Sequence, residues 1–405
     1  MHIAIVGTGV AGLGAGYALG AEHDVELFEQ SDRLGGHTYT VVHDGRPLDC
    51  GFLVHNRETY PHLTRLFGEL GVRTRRSEMS FSVDAPGESL VYSSKRPLAD
   101  PALLVRPSYL ALWWEIVRWL RTAKRSLDGG AHDSASLRQY IADEGYSDRF
   151  VRQFLVPITA ALWSTAPDEV LDFPAAYAIR FFDNHGMLGF RRKEWRTVVG
   201  GSHQYVLALR ARFGDRIHAG CGVRSIRRTD DGVDVRTADD EVRRFDGVVV
   251  ATHADQALAL LEDADDQEKD LLGAFAYTTN DTVLHTDASF LPRRRTAWSS
   301  WNYQETSRTR PTVSYYLNRL QGIDSDTPYL VTLNRVDDID PATILHRVEF
   351  EHPRYDLGAL AAQARLPELA GRRRTAFAGA YHGNGFHEDG LASGVAAARA
   401  FGVHW

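Results

Sequence analysis

Three glycines near the start of the chain have the spacing of a diphosphate-binding turn. Gly7 and Gly9 follow a β-branched run at 2–6, and Gly12 lies in the first turn of a helical stretch at 10–20. Glycine allows the tight turn and the close approach of the backbone to a phosphate, and the N–H groups that open the helix attract the anion. Glu29 ends the next apolar run, where a carboxylate can bind both hydroxyls of a ribose. The spacing predicts a dinucleotide site in a βαβ unit.

The residues after Glu29 indicate which dinucleotide is bound. Arg33, Gly35, Gly36 and His37 follow it closely. This run resembles the FAD-binding signature of the flavin amine oxidoreductase superfamily, which includes monoamine oxidases, protoporphyrinogen oxidases and phytoene desaturases. In that superfamily the arginine and the paired glycines lie along the pyrophosphate and the ribityl chain. The resemblance implies FAD as the cofactor, and the alternative is a plain glycine turn with a surface arginine.

A hairpin is predicted at 39–56, with its turn at Asp44 and Gly45. Its end, 49–56, resembles the family segment that runs beneath the flavin. His55 and Asn56 are therefore candidates for contact with the flavin or the substrate. The alternative is that they cap the hairpin.

The second half of the chain extends the resemblance. In relatives the backbone of a valine equivalent to Val223 contacts the adenine, and an apolar strand at 245–253 ends in a small-residue turn after Ala251. A strand at 375–380 leads into a helix that starts near Leu391, and the resemblance implies that the positive end of this helix meets the N1–C2=O region of the flavin. Glu388 and Asp389 could instead cap that helix. The complete set of cofactor contacts that the motifs imply is Gly7, Gly9, Val10, Ala11, Gly12, Glu29, Gln30, Arg33, Gly35, Gly36, His37, Val54, His55, Asn56, Val223, Ala251, Gly379, Gly385, Phe386, Glu388, Asp389, Gly390 and Leu391.

Antiparallel strands rich in aromatic residues are predicted between 277 and 334. Because side chains alternate along a strand, half of these aromatics face one side, which lies over the isoalloxazine in flavoenzymes of this kind. The alternative is a sheet face packed on helices. The aromatics are Trp298, Trp301, Tyr303, Tyr315 and Tyr316. Segments that relatives bring to the flavin ring are flanked by the four catalytic candidates His55, Tyr303, Tyr381 and His382.

The stretch 107–125 is predicted to be an amphipathic helix. It combines Trp113, Trp114 and Trp119 with cations at one end, Arg118, Arg121, Lys124 and Arg125. The ordinary interpretation is a helix packed on a domain core. The alternative is a peripheral contact with a lipid surface, because tryptophan and basic residues together suit a membrane interface.

Composition narrows the class of protein. The chain has 405 residues, a net charge of −7 and two cysteines, Cys50 and Cys221, so we expect two or three domains, no nucleic-acid partner and no disulfide framework. No metal site is predicted, because the cysteines have no metal-ligand spacing and the histidines are isolated. The chain begins directly in a strand without a signal peptide, which predicts a cytoplasmic protein.

The predicted fold is α/β, a Rossmann-type FAD-binding domain with an inserted α+β substrate domain of helices and antiparallel sheet. We assign 1–75, 196–262 and 370–405 to the FAD-binding domain, and 76–195 and 263–369 to the substrate domain. Strings such as 298–303, 317–321 and 385–390 resemble a bacterial subgroup that is often encoded beside cyclopropane-fatty-acid synthases.

The subgroup resemblance implies hydride removal from a lipophilic small molecule by a noncovalent FAD, which oxygen or another acceptor reoxidises. No lysine occurs between Ala274 and Trp405, which disfavours the lysine-assisted chemistry of true amine oxidases. Oxidation of a C–N bond and a flavin-binding role without turnover, beside a lipid methyltransferase, remain the alternatives.

Overall fold

The computed structural model describes residues 1–85, 90–97, 101–129, 135–163, 170–184, 186–188, 193–304 and 313–405. The helices in these residues are α1 (Val10–Leu19), α2 (Pro61–Glu69), α3 (Pro107–Asp128), α4 (Leu137–Asp143), α5 (Asp148–Phe150), α6 (Val156–Trp163), α7 (Ala175–Asn184), α8 (His203–Phe213), α9 (Ala254–Leu260), α10 (Asp266–Leu272), α11 (Leu357–Arg365) and α12 (His387–Arg399). The strands are β1 (His2–Val6), β2 (Asp24–Phe28), β3 (Thr40–His43), β4 (Arg46–Asp49), β5 (His55–Asn56), β6 (Thr74–Arg76), β7 (Phe81–Ala85), β8 (Leu90–Ser93), β9 (Trp195–Val198), β10 (Ile217–His218), β11 (Val223–Arg228), β12 (Val233–Thr237), β13 (Val242–Phe245), β14 (Gly247–Val250), β15 (Tyr277–His285), β16 (Trp301–Gln304), β17 (Val313–Tyr316), β18 (Leu330–Leu333), β19 (Ile344–Pro353) and β20 (Thr375–Phe377).

A five-stranded parallel sheet organises one half of the molecule, in the order β10-β2-β1-β14-β20. Both faces are covered, because Ile3 and Ile5 pack under α1, α8 and α12 while Ala4 and Val6 pack against the α9–α11 side. Burial on both faces explains why β1 and β14 are continuous apolar runs rather than alternating ones. The predicted βαβ unit is confirmed, with α1 ending at Leu19.

A seven-stranded mixed sheet organises the other half, in the order β19-β15-β18-β17-β16-β7-β8. All its pairs are antiparallel except that between β16 and β7. One face of β7, β8, β16 and β17 shares a core with α3, α4 and α7. The predicted α/β class with an antiparallel-rich second sheet is confirmed, although the long strand β19 was not among the predicted strands.

Two local predictions can be compared directly with the structure. The hairpin of β3 and β4 turns at Asp44 and Gly45, which both have positive φ, as a two-residue I′ turn requires. The last helix, in contrast, begins at His387 and not near Leu391. The reason is the Asp389 carboxylate, which accepts a hydrogen bond from the Phe386 N–H (2.9 Å) and closes the first turn earlier.

Helix α3 places its three tryptophans in three environments. Trp119 is buried in the helical core, Trp113 is half-buried against it, and Trp114 is 64% exposed. The prediction of a three-tryptophan cluster for a lipid contact is therefore wrong, and only Trp114 of the three is exposed. The reason is that residues 113, 114 and 119 do not share a helix face. Within the described part of the chain, no helix has the length and apolar character that spanning a bilayer requires.

Candidate active site

A cavity of about 660 Å³ extends from the parallel sheet to the seven-stranded sheet. At one end it is walled by the turn after β1 and the end of β2. At the other it meets one face of the seven-stranded sheet, together with Phe181 of α7, Met187 and Trp195 of β9. A volume of this size is typical of small-molecule sites. The cavity joins the two halves of the molecule.

The end of the cavity beside the parallel sheet brings together several residues of the predicted dinucleotide site. Gly7 and Gly9 line the wall beside Val10 and Ala11 at the start of α1. Glu29 also lines the wall, and its Oε2 accepts hydrogen bonds from the Thr8 N–H (3.0 Å) and hydroxyl (2.7 Å). These bonds orient the carboxylate at the edge of the cavity. Other wall residues at this end are Gln30, Val223 and Ala251.

The structure places Arg33 inside its own loop. Its guanidinium donates to the carbonyl oxygens of Leu34 (3.2 Å), Gly36 (2.8 Å) and Thr38 (3.0 Å), and it stacks over the Tyr39 ring. The arginine thus shapes the loop that brings Gly36 and His37 to the cavity, while Gly35 lies behind the wall. Gly12 also lies behind the wall, where α1 packs against the turn after β1.

Some residues of the C-terminal motif line the cavity, and the others stabilise neighbouring helices. Those that line the cavity are Gly379, Tyr381, Gly385, Phe386 and Gly390. The structure does not bring the other predicted contacts of this motif to the cavity: Glu388 accepts the N–H groups of His62 and Leu63 and so caps α2, Asp389 caps α12, and Leu391 packs on α1.

Three more candidates lie away from the cavity. His55 is buried behind Val54, with Nδ1 donating to the Arg196 carbonyl (3.2 Å). Asn56 caps the following turn, since its Oδ1 accepts the N–H groups of Glu58 and Thr59. Tyr303 lies in the helical core.

His382 and Tyr381 are neighbours with different positions. Tyr381 lines the cavity, and its ring packs with Phe275 while its buried hydroxyl has no hydrogen-bond partner among the described residues. The His382 ring packs at a tilt beside Tyr381 but does not reach the wall, and its Nε2 likewise has no partner in the part of the chain that the structure describes. The four catalytic candidates are therefore not gathered at one place.

Several residues of the cavity wall could not be predicted, because they lie on elements that the sequence pattern did not indicate. Phe350, Glu351 and His352 lie on β19, where the alternation of Val348 and Phe350 with charged neighbours was the available signal. Further wall residues that were not predicted as site residues are Phe52, Met79, Phe181, Met187, Trp195, His253, Tyr277 and Tyr355. Trp301 and Tyr315 are the predicted aromatics that reach the wall.

Histidines at the cavity are held neutral by burial. Burial lowers the pKa of His352 to about 4 and that of His387 to about 3, and it holds the pKa of His37 well below its usual range. His387 stacks on Phe52 and bonds to the Tyr205 hydroxyl (2.8 Å). At neutral pH these rings are hydrogen-bonding groups rather than cations.

The buried histidines predict acid lability. Burial lowers the pKa of His55, His285, His352 and His382 to about 4, and that of His387 to about 3. Between pH 6.5 and 4 the unfolded chain binds protons that the folded chain does not, so each histidine removes about 1.4 kcal/mol of stability per pH unit as the pH falls. Burial raises the pKa of Asp49 and Asp389 to about 6; these carboxyls act in the opposite direction but are fewer.

We therefore expect the free energy of unfolding, measured in urea, to fall by on the order of 3 kcal/mol between pH 6.5 and 5.5. The matched variant is His285→Gln, because His285 lies away from the cavity and bonds to Thr332. In this variant, the number of protons taken up on unfolding, given by the slope of the unfolding free energy against pH, should fall by about one. A protein that becomes more stable on acidification over this range would contradict the prediction.

Residues 10–344 match the sequence model of the flavin-containing amine oxidoreductases, which is more than half of the chain. The chain belongs to this family. A 15-cis-phytoene desaturase from Glycine max is 26% identical over 285 residues, 65% of this chain and 49% of the relative. An L-amino-acid oxidase from Naja atra is 25% identical over 237 residues, 54% of this chain and 44% of the relative. The chain thus matches about half the length of these relatives.

Solved structures resemble the whole chain. A putrescine oxidase superposes with a TM-score of 0.74 at 16% identity, covering 99% of this chain and 98% of the other. A fatty acid isomerase from P. acnes superposes with a TM-score of 0.71 at 19% identity, covering 98% of each chain. At these identities the likeness establishes the fold.

The cavity fits the flavin dinucleotide that the family name implies. Gly9 has open space where a side chain would begin, and Glu29 is oriented at the same end. Cys50 lines the wall as well, but burial raises the pKa of its thiol to about 12, so it is no thiolate at neutral pH. Among the described residues, no group of three or more potential ligands could hold a metal.

Proposed function

We propose that this protein is an FAD-dependent oxidoreductase that removes a hydride from an apolar small molecule. The main observation that supports this proposal is a single cavity, which has the glycine-rich turn after β1 at one end and an apolar wall at the other. Bound FAD supplies the hydride acceptor, and oxygen or another acceptor reoxidises it. The protein supplies binding, orientation and exclusion of water.

The residues proposed to hold FAD divide by role. Gly7, Gly9 and the first N–H groups of α1 suit the pyrophosphate, and Glu29 suits the ribose. Val223 and Gln30 lie at the same end, while Gly36, Val54, Gly385 and Gly390 belong to the central wall. The binding is proposed to be noncovalent. We also propose the domain division at 1–75, 196–262 and 370–405 against 76–195 and 263–369, because the parallel sheet and the seven-stranded sheet each draw their strands from one set.

The substrate wall supports an apolar ligand. It is formed by Met79, Phe181, Met187, Trp195, Trp301, Tyr315 and Leu333. Among the described wall residues the carboxylates are Glu29 and Glu351, and Glu351 lies 3.2 Å from His253 with its side chain 44% exposed. A cationic amine would therefore find a solvated carboxylate, whose attraction is weakened by water, and this favours the apolar substrate over C–N oxidation.

Anaerobic titration tests the function. We expect alkanols or fatty acids of medium chain length to bleach the visible absorbance of the yellow protein, since the wall buries hydrocarbon, and primary amines of equal length to do so at least ~10-fold more slowly. Gly9→Val, which should lack the cofactor, is the control. Bleaching by the amines alone would establish the C–N alternative. Failure of every probe would favour a flavin-binding role without turnover.

A peripheral membrane contact is proposed for the start of α3. Val105, Leu110 and Trp114 are 82%, 51% and 64% exposed, and Arg118 stacks on Trp114 and Tyr146. Exposed tryptophan beside arginine suits an anionic lipid surface, although the net charge of −7 confines the attraction to this site.

Co-sedimentation with anionic vesicles measures this contact. We expect Trp114→Ala to lower the bound fraction at least ~5-fold, since the indole loses its burial at the interface. The matched control is Leu357→Ala, because Leu357 is similarly exposed (60%) on a different helix. Equal binding of both variants would show that α3 does not form the contact. If the parent protein does not bind the vesicles, the proposed membrane contact is wrong.

A further inference from the structure

Two neighbouring histidines of the cavity wall have opposite hydrogen-bonding partners. His37 and His352 have ring centroids 5.3 Å apart and meet edge to face. Both line the cavity. His37 follows the paired glycines of the FAD motif, whereas His352 lies on β19 of the seven-stranded sheet. Their partners determine which nitrogen of each neutral ring carries the proton.

The proton position on His352 follows from a chain of amides. The Asp281 N–H can only donate, so the atom of Asn334 that it contacts (3.0 Å) is the carbonyl oxygen. The Asn334 NH₂ group therefore donates to Asn280 Oδ1 (2.8 Å). The Asn280 NH₂ group then donates to the Thr278 carbonyl (3.2 Å) and to His352 Nδ1 (2.9 Å). Since Nδ1 is an acceptor, the proton lies on Nε2.

This chain of amides is buried and anchored to the backbone. Asn280 is completely buried, and Asn334 N–H donates back to the Asp281 carbonyl (2.7 Å). Asn334 holds a left-handed conformation with φ of +60°, which asparagine tolerates better than most residues. A reversal of either amide would place two donors or two acceptors face to face in a buried site, which is costly.

His37 has the opposite arrangement. Its Nε2 contacts the Glu351 carbonyl oxygen (3.1 Å), which can only accept, so Nε2 carries the proton and Nδ1 is an acceptor. The third histidine of this group, His253, has its Nδ1 3.2 Å from the Glu351 carboxylate. Among the described residues, the ring atoms left without a hydrogen-bond partner are thus the Nε2–H of His352 and the Nδ1 lone pair of His37.

We propose that His352 and His37 form a neutral donor and acceptor pair that recognises an uncharged polar group able both to donate and to accept a hydrogen bond. A hydroxyl, a protonated carboxylic acid and a lactam share this chemistry. The group can belong to the polar end of the substrate or to the ring of the cofactor. This inference deepens the proposed function, and Asn280 and Asn334 act in it as positioning residues.

The first measurement is independent of any activity. The full-length protein is labelled with [¹⁵N]histidine, and two-bond ¹H–¹⁵N spectra at pH 7 report which ring nitrogen is protonated. The His352 signal is identified as the one that disappears in His352→Gln. In the parent spectrum we expect this signal to show the Nε2–H tautomer. In Asn280→Asp a carboxylate can only accept, so His352 should become protonated at Nδ1. A parent spectrum with His352 protonated at Nδ1 would overturn the proposal, whether or not the variant folds.

The second measurement separates the two sources of the group. Dissociation constants are measured for FAD with apoprotein, and for 1-decanol and methyl nonyl ether with the yellow protein, by the change in visible absorbance. If the substrate carries the group, decanol binds about tenfold more tightly than the ether, and His352→Gln removes that preference. If the cofactor carries it, FAD shifts the His352 signal and His352→Gln weakens FAD binding about tenfold. If decanol and the ether bind equally well, and FAD neither shifts the His352 signal nor binds more weakly to His352→Gln, recognition by this pair is refuted. A protein that binds FAD and alcohols but oxidises nothing would refute only the proposed function.

Discussion

Gly9→Val is expected to abolish FAD binding while leaving the fold intact. Gly9 has φ of −62°, which any residue adopts, and a Cβ built there has no atom within 4 Å. The added side chain therefore costs the protein little and projects into open space, which the wall position of Gly9 identifies as the cavity. Because the pyrophosphate must approach this backbone closely, we expect at least a ~100-fold loss of affinity, about 2.7 kcal/mol.

The amount of FAD released by acid precipitation measures the effect, with urea unfolding as the check on the fold. Gly9→Ala should give an intermediate loss. Gly68→Ala is the matched control, because Gly68 also has nothing within 4 Å but lies on the exposed side of α2. A Gly9→Val protein that is as yellow as the parent would overturn the assignment of this turn to the cofactor.

Gly394→Ala is expected to cause a large loss of stability. Helices α1 and α12 cross closely, and a Cβ at Gly394 would overlap the carbonyl oxygen of Ala11 and approach the Ala15 nitrogen to 3.0 Å. These are backbone atoms and cannot rotate away, so the helices must separate. Overpacking of this kind costs about 3 kcal/mol or more in free energy of unfolding.

The same glycine-to-alanine change has the opposite sign where there is space. Gly68→Ala in α2 should stabilise the protein by about 0.5–1 kcal/mol, because alanine has the better helix propensity. Urea unfolding of both variants beside the parent gives the two differences directly. A Gly394→Ala protein as stable as the parent would show that α1 and α12 are not in backbone contact.

The dinucleotide end could be predicted from the sequence because its chemistry is local. Strand, turn, helix and ribose acid occur within 29 residues, and each follows from short-range geometry. The wall accordingly contains Gly7, Gly9 and Glu29. The hairpin turn at Asp44 and Gly45 was predictable for the same reason, since its two φ values depend on those residues.

The substrate end could be predicted only in outline. Trp301 and Tyr303 are two residues apart on one strand and share a face, yet Trp301 reaches the cavity and Tyr303 lies under helices. Two residues along a strand span about 7 Å, enough to pass from the cavity to the core. Packing across the whole domain decides which part of the sheet the helices cover. The alternation of side chains along one strand does not contain that information.

Residue types and spacing by themselves predicted the βαβ unit and its dinucleotide turn, and the resemblance of the motifs to a known family implied FAD. The tertiary structure decided the rest. It placed Arg33 inside its own loop, Glu388 on α2, and His352 beside His37. The physical reason is that a polar side chain takes the role its hydrogen-bond partners permit. For His352 those partners begin with Asn280 and Asn334, which meet it only when three strands of one sheet pair in register.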